Sequence, residues 1–218
     1  EELDRTRLKC VASTQRGIGP ARQSIELCPH KIAALNRGPE SLAEDGPICP
    51  GHWAVLCAFH MLRGAESACA RAQSLVVDED DLTENLLLPA SKTDPQGTGC
   101  RRCWGCVCKH DATQSTVMQA CPYHAALAIK LETKKRFGAS ALDLPLFPTS
   151  SGGWCTKAGF VKTIAHLADC LQVCTVDSLG RCTVGEHVWR VSGSRMLAHA
   201  NVPVPVIMLM ARWGSEVI

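Results

Sequence analysis

The sequence predicts a mainly α protein with one small antiparallel β-sheet or hairpin, an α+β arrangement. Three observations predict it. Apolar residues recur at helical spacing over most of the chain, two short β-prone runs lie side by side between residues 74 and 89, and Gly and Pro punctuate the connections. Hydrophobic residues make up 46% of the 218. That is enough to bury a sizeable core and too much for wholesale disorder.

Residues 1–45 are polar and broken by Gly17, Gly19-Pro20 and Gly38-Pro39, with one helical stretch near Ile32 to Leu35. They read as a linker or as the stump of an upstream domain. Pro50-Gly51 opens the compact part, so that 46–218 forms the main domain. From Trp53 to Leu62 apolar residues crowd a helix that should be buried nearly all round. A short small-residue helix over Glu66 to Ala72 follows. Ser74 to Asp78 reads as a strand, Asp78 to Glu84 as an acidic turn, Asn85 to Pro89 as a second strand, and Ser91 to Gly97 as a loop or hairpin tip.

A Cys/His-rich insertion spans 100–124. Helix signals return over Ala125 to Phe137 and are followed by a Pro-rich loop from Leu144 to Gly153. Thr156 is a suitable N-cap for a helix from Lys157 to about Val173. After a loop over Ser178 to Val184, two helices separated by a turn at Asn201-Val202-Pro203 close the chain. Glu1 is not a Met and Ile218 follows directly on an apolar helix, so both ends read as cuts through a longer protein.

The net charge of +2 neither demands nor excludes a nucleic-acid partner. Arg101-Arg102, Lys109 and Lys134-Lys135-Arg136 are local clusters suited to backbone phosphates, although any one of them alone reads as a solvated face. No apolar run approaches the roughly 18 residues that span a bilayer, and the N-terminus lacks the order of a signal peptide. The expectation is therefore a soluble intracellular protein without a membrane partner, nuclear in a eukaryote and otherwise cytoplasmic. Of the 14 Cys, several such as Cys57 and Cys69 sit in apolar helical context as small hydrophobes.

Four separated segments carry residues suited to phosphate chemistry. In Trp53 to Glu66, Arg63 ends a strongly apolar helix and Glu66 follows it by three. A planar guanidinium there suits two-point contact with phosphate oxygens, and the plain alternative is a helix-boundary ion pair. In Leu86 to Gly99, Lys92 stands in Ser-Lys-Thr, where an ammonium can give a proton to a leaving alkoxide or simply be a loop lysine. In Gly185 to Arg190, His187 and Arg190 are three apart, which on a helix puts both on one face. In Arg212 to Ser215, Trp213 offers its indole N–H, or serves as a core tryptophan.

Arg63, Lys92, His187, Arg190 and Trp213, in this order and spacing, resemble the catalytic domain of the tyrosine recombinases, the phage-integrase family of DNA breaking-rejoining enzymes. The resemblance covers Trp53 to Ser215. It implies a tyrosine-recombinase catalytic-domain-like fold with Glu66 supporting Arg63, and with 1–45 belonging to a DNA-clamping domain. It also implies DNA cleavage and rejoining through a 3′-phosphotyrosyl intermediate without a catalytic cofactor, in site-specific recombination or integration of a mobile element. The implied partners are double-stranded DNA and further copies of the protein on that DNA.

The only tyrosine, Tyr123, lies far from the C-terminal position that the resemblance requires. The sequence therefore reads as a fragment that lacks its nucleophile and is inactive alone, with the tyrosine expected shortly beyond Ile218. The alternative is a non-catalytic, zinc-stabilised DNA-binding module derived from such a recombinase, and a third reading is a helical interaction domain.

Within the insertion, Cys106, Cys108, Cys121 and His124 are the preferred ligand set for a structural zinc that pins the hairpin to the next helix. Cys100 and Cys103 form a competing pair.

Overall fold

The computed structural model describes residues 24–35, 37–88, 99–110 and 120–213. Its helices are α1 (Pro29–Ala34), α2 (Pro50–Phe59), α3 (Gly64–Cys69), α4 (Pro122–Phe137), α5 (Lys157–Cys170), α6 (Val188–His199) and α7 (Val204–Ala211). Strands β1 (Leu75–Asp78), β2 (Thr83–Leu88) and β3 (Cys100–Gly105) form one antiparallel sheet in the order β1-β2-β3. The mainly α arrangement with a small sheet is as the sequence predicts. Among the described residues no helix is long and apolar enough to cross a membrane.

Helix α2 is the axis of the core. Its apolar residues run on without a polar face, so every residue of it except His52 is buried. It touches α1, α4 and α6. Trp53 stacks on Phe160 of α5 at 5.3 Å and meets Trp189 of α6 edge-on at 5.2 Å, which joins three helices through one indole. Gly193 lets α6 cross α2 at backbone contact, because a Cβ there would collide with the Ala58 carbonyl. Ser192, fully buried beside it, accepts from the Leu27 N–H at 2.9 Å and donates to the Val188 carbonyl at 2.8 Å. Leu27 and Ile32, within the stretch read as linker or stump, are part of the same core as Trp53 and Leu56.

Several boundaries differ from the reading of the sequence, α3 ending at Cys69 and β2 starting at Thr83, and two elements differ more. Helix α5 is capped by Thr156, whose Oγ1 accepts from the Gly159 N–H at 3.0 Å, but it ends at Cys170 because Gln172 turns to a φ of 54°. Strand β3 was not foreseen. Its sequence Cys-Arg-Arg-Cys-Trp-Gly offers one large apolar residue, half-buried Trp104, whose ring meets Phe59 of α2 edge-on at 5.3 Å. The strand is otherwise held by its ladder to β2, where Leu86 pairs with Arg102 and Glu84 with Trp104. The hairpin tip at Ser91 to Gly97 lies outside the described residues.

Candidate nucleic-acid site: an arginine pocket and a cysteine cluster

The C-terminus of α2 delivers the first candidate side chain. After the buried helix the chain turns through Met61 at a φ of 47°, and Arg63 sits in extended conformation just ahead of α3. Glu66, in the first turn of α3, takes both the Arg63 backbone N–H (2.8 Å) and the Arg63 Nη1–H (3.0 Å). A carboxylate in the first turn of a helix also faces the positive end of the helix dipole. Gly64 keeps this corner open, because a Cβ there would lie 2.7 Å from the Glu186 side chain.

The second and third guanidiniums come from the far end of the sequence. Arg190, in the first turn of α6, is only 5% exposed and donates from Nη2 to the Ala211 carbonyl at the end of α7. Its guanidinium lies 5.7 Å from the centroid of the Trp213 ring, within cation–π range. Burial, followed by the nearby charge of Arg63, pushes Arg190 down to about 10, and Glu66 partly opposes this. Arg212 caps α7 in the left-handed conformation and donates from Nη2 to Glu66 Oε2 at 2.6 Å. Burial lowers its pKa as well. Among the described residues, Nη1 of Arg190 and both Nε and Nη1 of Arg212 are buried without a hydrogen-bond partner.

A fourth guanidinium borders the pocket. Arg102 of β3 donates from Nη2 to the Leu209 carbonyl at 2.7 Å, which ties the sheet to α7. Among the described residues Glu66 is the only carboxylate hydrogen-bonded to any of these four arginines. The arginine cluster therefore carries a largely buried excess of positive charge, the condition that favours an anionic ligand.

Arg63, Glu66, Arg190 and Trp213 thus meet, although the sequence separates them by up to 150 positions. His187, at the N-cap of α6, is exposed while Arg190 one turn on points inward, and among the described residues no hydrogen bond joins the imidazole to the arginines. It lines a surface depression with Lys157 and Glu186, which pair at 3.4 Å. Lys92 lies outside the described residues. Tyr123 is buried in the first turn of α4 with its ring 5.0 Å from that of His124, beside the cysteine cluster.

Arg102 stands in the sequence as part of a basic cluster suited to backbone phosphates. Sequence reasoning missed two contributors, Arg212 and the buried pair of His60 Nε2 with Glu84 Oε1 at 2.6 Å. That pair links the C-cap of α2, three residues before Arg63, to β2. A His and a Glu in otherwise apolar or β-prone runs were its only signal.

The cysteine cluster lies at the other end of β3. Cys106 follows that strand, Cys108 sits in the 3-10 turn Val107–His110, Cys121 is the N-cap of α4, and His124 is in the first turn of α4. Their ligand atoms all lie within 4.8 Å of one another. Cys106 Sγ is 3.8 Å from Cys121 Sγ and 3.8 Å from His124 Nδ1. Burial and the neighbouring Cys121 push the Cys108 thiol up to about 12. Cys100 and Cys103, three apart on a strand, face opposite sides of the sheet and do not join the group.

No family model and no curated protein matches the sequence. Solved structures do, and the fold they define is tyrosine-recombinase-like. The chain is similar to the XerH site-specific recombinase bound to difH substrate in a pre-cleavage complex, with a TM-score of 0.58 and 11% identity over 91% of this chain and 50% of that one. It is also similar to XerH bound to palindromic difH substrate in a post-cleavage complex, with a TM-score of 0.58 and 10% identity over 90% of this chain and 48% of that one. It spans about half the length of these recombinase chains.

Glu66 is the electrostatic hinge of the pocket. Replacing it with Ala leaves Arg63 and Arg212 without their counter-ion, and Glu66→Ala is expected to destabilise the protein by about 3–5 kcal/mol in urea unfolding. An unchanged or higher midpoint would contradict the pairing described here.

Proposed function

We propose that this chain supplies the phosphate-binding part of a tyrosine-recombinase-type DNA breaking-rejoining centre acting in site-specific recombination or integration. The observation that carries this reading is the convergence of Arg63, Arg190 and Trp213, from three distant segments, around Glu66 in a fold shared with DNA-bound recombinases. Arg63 and Arg190 neutralise charge on the non-bridging oxygens of a scissile phosphodiester as it becomes five-coordinate, and the Trp213 indole N–H donates to one of them. Lys92 gives a proton to the departing 5′ oxygen, and His187 assists as general acid/base once DNA binding turns its exposed side chain toward the arginines. A tyrosine oxygen attacks phosphorus, the bond to the 5′ oxygen breaks, and a 3′-phosphotyrosyl link and a 5′ hydroxyl result. Reversal with another 5′ hydroxyl rejoins the strands.

Tyr123 is buried beside the cysteine cluster, and in this reading the attacking tyrosine comes from outside these 218 residues. This chain alone binds duplex DNA and leaves it intact. The same observation favours a second reading, a DNA-binding module derived from such an enzyme that has no chemistry. The two part in an assay for a covalent protein–DNA adduct with the open reading frame extended past Ile218. A recombinase forms the adduct, and a binding module does not.

Binding itself is tested with a double-stranded oligonucleotide of mixed sequence by fluorescence anisotropy over a salt series. Arg63→Glu and Arg190→Glu, each verified as folded, are expected to lose tenfold or more in affinity, and wild-type binding should fall steeply with salt. Folded variants that bind as well as wild type would instead support a helical interaction domain.

The reading extends to the cysteine cluster, which holds one structural zinc through Cys106, Cys108, Cys121 and His124 and pins β3 to α4. Zinc–sulfur bonds of about 2.3 Å at tetrahedral angles put two sulfurs about 3.8 Å apart, the separation of Cys106 and Cys121. Purified protein is expected to contain about one zinc per chain, and Cys121→Ser should lose the metal and unfold at lower temperature. Protein free of zinc, with a melting temperature indifferent to chelator, would exclude the site.

A further inference from the structure

We propose that Arg212 is a third phosphate-binding guanidinium of the pocket, an inference that rests on the DNA reading above. Three features carry it. The first is its conformation. Arg212 ends α7 at φ 56° and ψ 45°, the left-handed cap where glycine is the undemanding choice and a Cβ is disfavoured. The side chain at this position is used: it reaches Glu66 Oε2 at 2.6 Å from 146 residues away in sequence.

The second feature is the shared anchoring of three guanidiniums. Glu66 holds Arg63 through Oε1 and Arg212 through Oε2, and Arg190 is held by the carbonyl of Ala211, the residue before Arg212. Each guanidinium is fixed in orientation by one nitrogen. A fork held at one end has its remaining donors pre-aimed, which suits planar recognition of phosphate oxygens.

The third feature is what remains unpaired. The Arg212 side chain is 8% exposed, and among the described residues its Nε–H and Nη1–H have no acceptor, like Nη1 of Arg190. Buried guanidinium donors without partners are costly, and the mutual repulsion of Arg63, Arg190 and Arg212 adds to that cost. A phosphodiester supplies both the missing acceptors and the missing negative charge. The left-handed turn at Arg212 also carries the chain into Trp213, so one residue links the Glu66 pair to the indole beside Arg190.

The test uses the whole chain and the same mixed-sequence duplex over a salt series. Arg212→Gly removes the side chain and relieves the left-handed backbone. It is expected to remain folded, bind about tenfold more weakly, and show a plot of log affinity against log salt that is shallower by about 0.9. Arg212→Lys keeps the charge and the contact with Glu66 but loses the fork, so it should bind weakly with the wild-type salt slope. If Arg212→Gly fails to fold, the affinity of Arg212→Lys alone decides. Wild-type affinity and slope in the folded variants, with Arg190→Glu still defective, would overturn the assignment of Arg212 and leave the DNA reading standing. Undiminished binding by Arg63→Glu and Arg190→Glu as well would overturn both.

Discussion

One carboxylate organises the site. Glu66 sits in the first turn of a six-residue helix and holds the Arg63 backbone, the Arg63 guanidinium and the Arg212 guanidinium. Removing charged groups from water is costly, and a carboxylate that joins two guanidiniums makes that burial tolerable. Through Arg212 it reaches the end of α7, and through the neighbouring Ala211 carbonyl it reaches Arg190. Elements from opposite ends of the sequence are therefore fixed by one side chain whose negative charge is too small to neutralise them all. The remaining positive charge is what a phosphodiester would meet.

The surrounding fold keeps this arrangement stiff. Helix α2 is buried almost all round, so the position of Arg63 is set by core packing rather than by a surface loop. The contact of Gly193 with Ala58 sets the spacing of α6 and α2, and with it the depth at which Arg190 projects. On the far side, β3 holds α7 through Arg102 and Leu209 and runs directly into Cys106 of the cysteine cluster. A metal held by the cluster would brace the strand that holds α7, and so bear on the arginines without contact to them.

Much of this was legible in the residues. The unbroken apolar run of α2 announced a buried helix, and Arg63 and Glu66 followed from its end. Arg190 and Trp213 were legible because the helix pair around Asn201 and Pro203 has a distinctive layout, and Cys106, Cys108, Cys121 and His124 because soft ligands seldom crowd so closely. Strand β3 was not legible: Trp104 is its one large apolar residue, and the strand depends on pairing with β2 and on the contacts of Trp104 with Phe59 and Arg102 with Leu209. Arg212 was hidden because its role depends on a left-handed cap and on a carboxylate 146 residues away. His187 was expected to share a face with Arg190, whereas the N-cap geometry leaves it exposed while Arg190 turns inward.

The most direct measurement is a crystal structure of the chain bound to duplex DNA. The expected result is a single backbone phosphate within hydrogen-bond distance of Arg63 and Arg190, with the Trp213 indole beside it and Glu66 still paired behind. A duplex seated elsewhere, with the arginines unchanged and no phosphate among them, would contradict the central claim that this buried positive charge is a phosphodiester site.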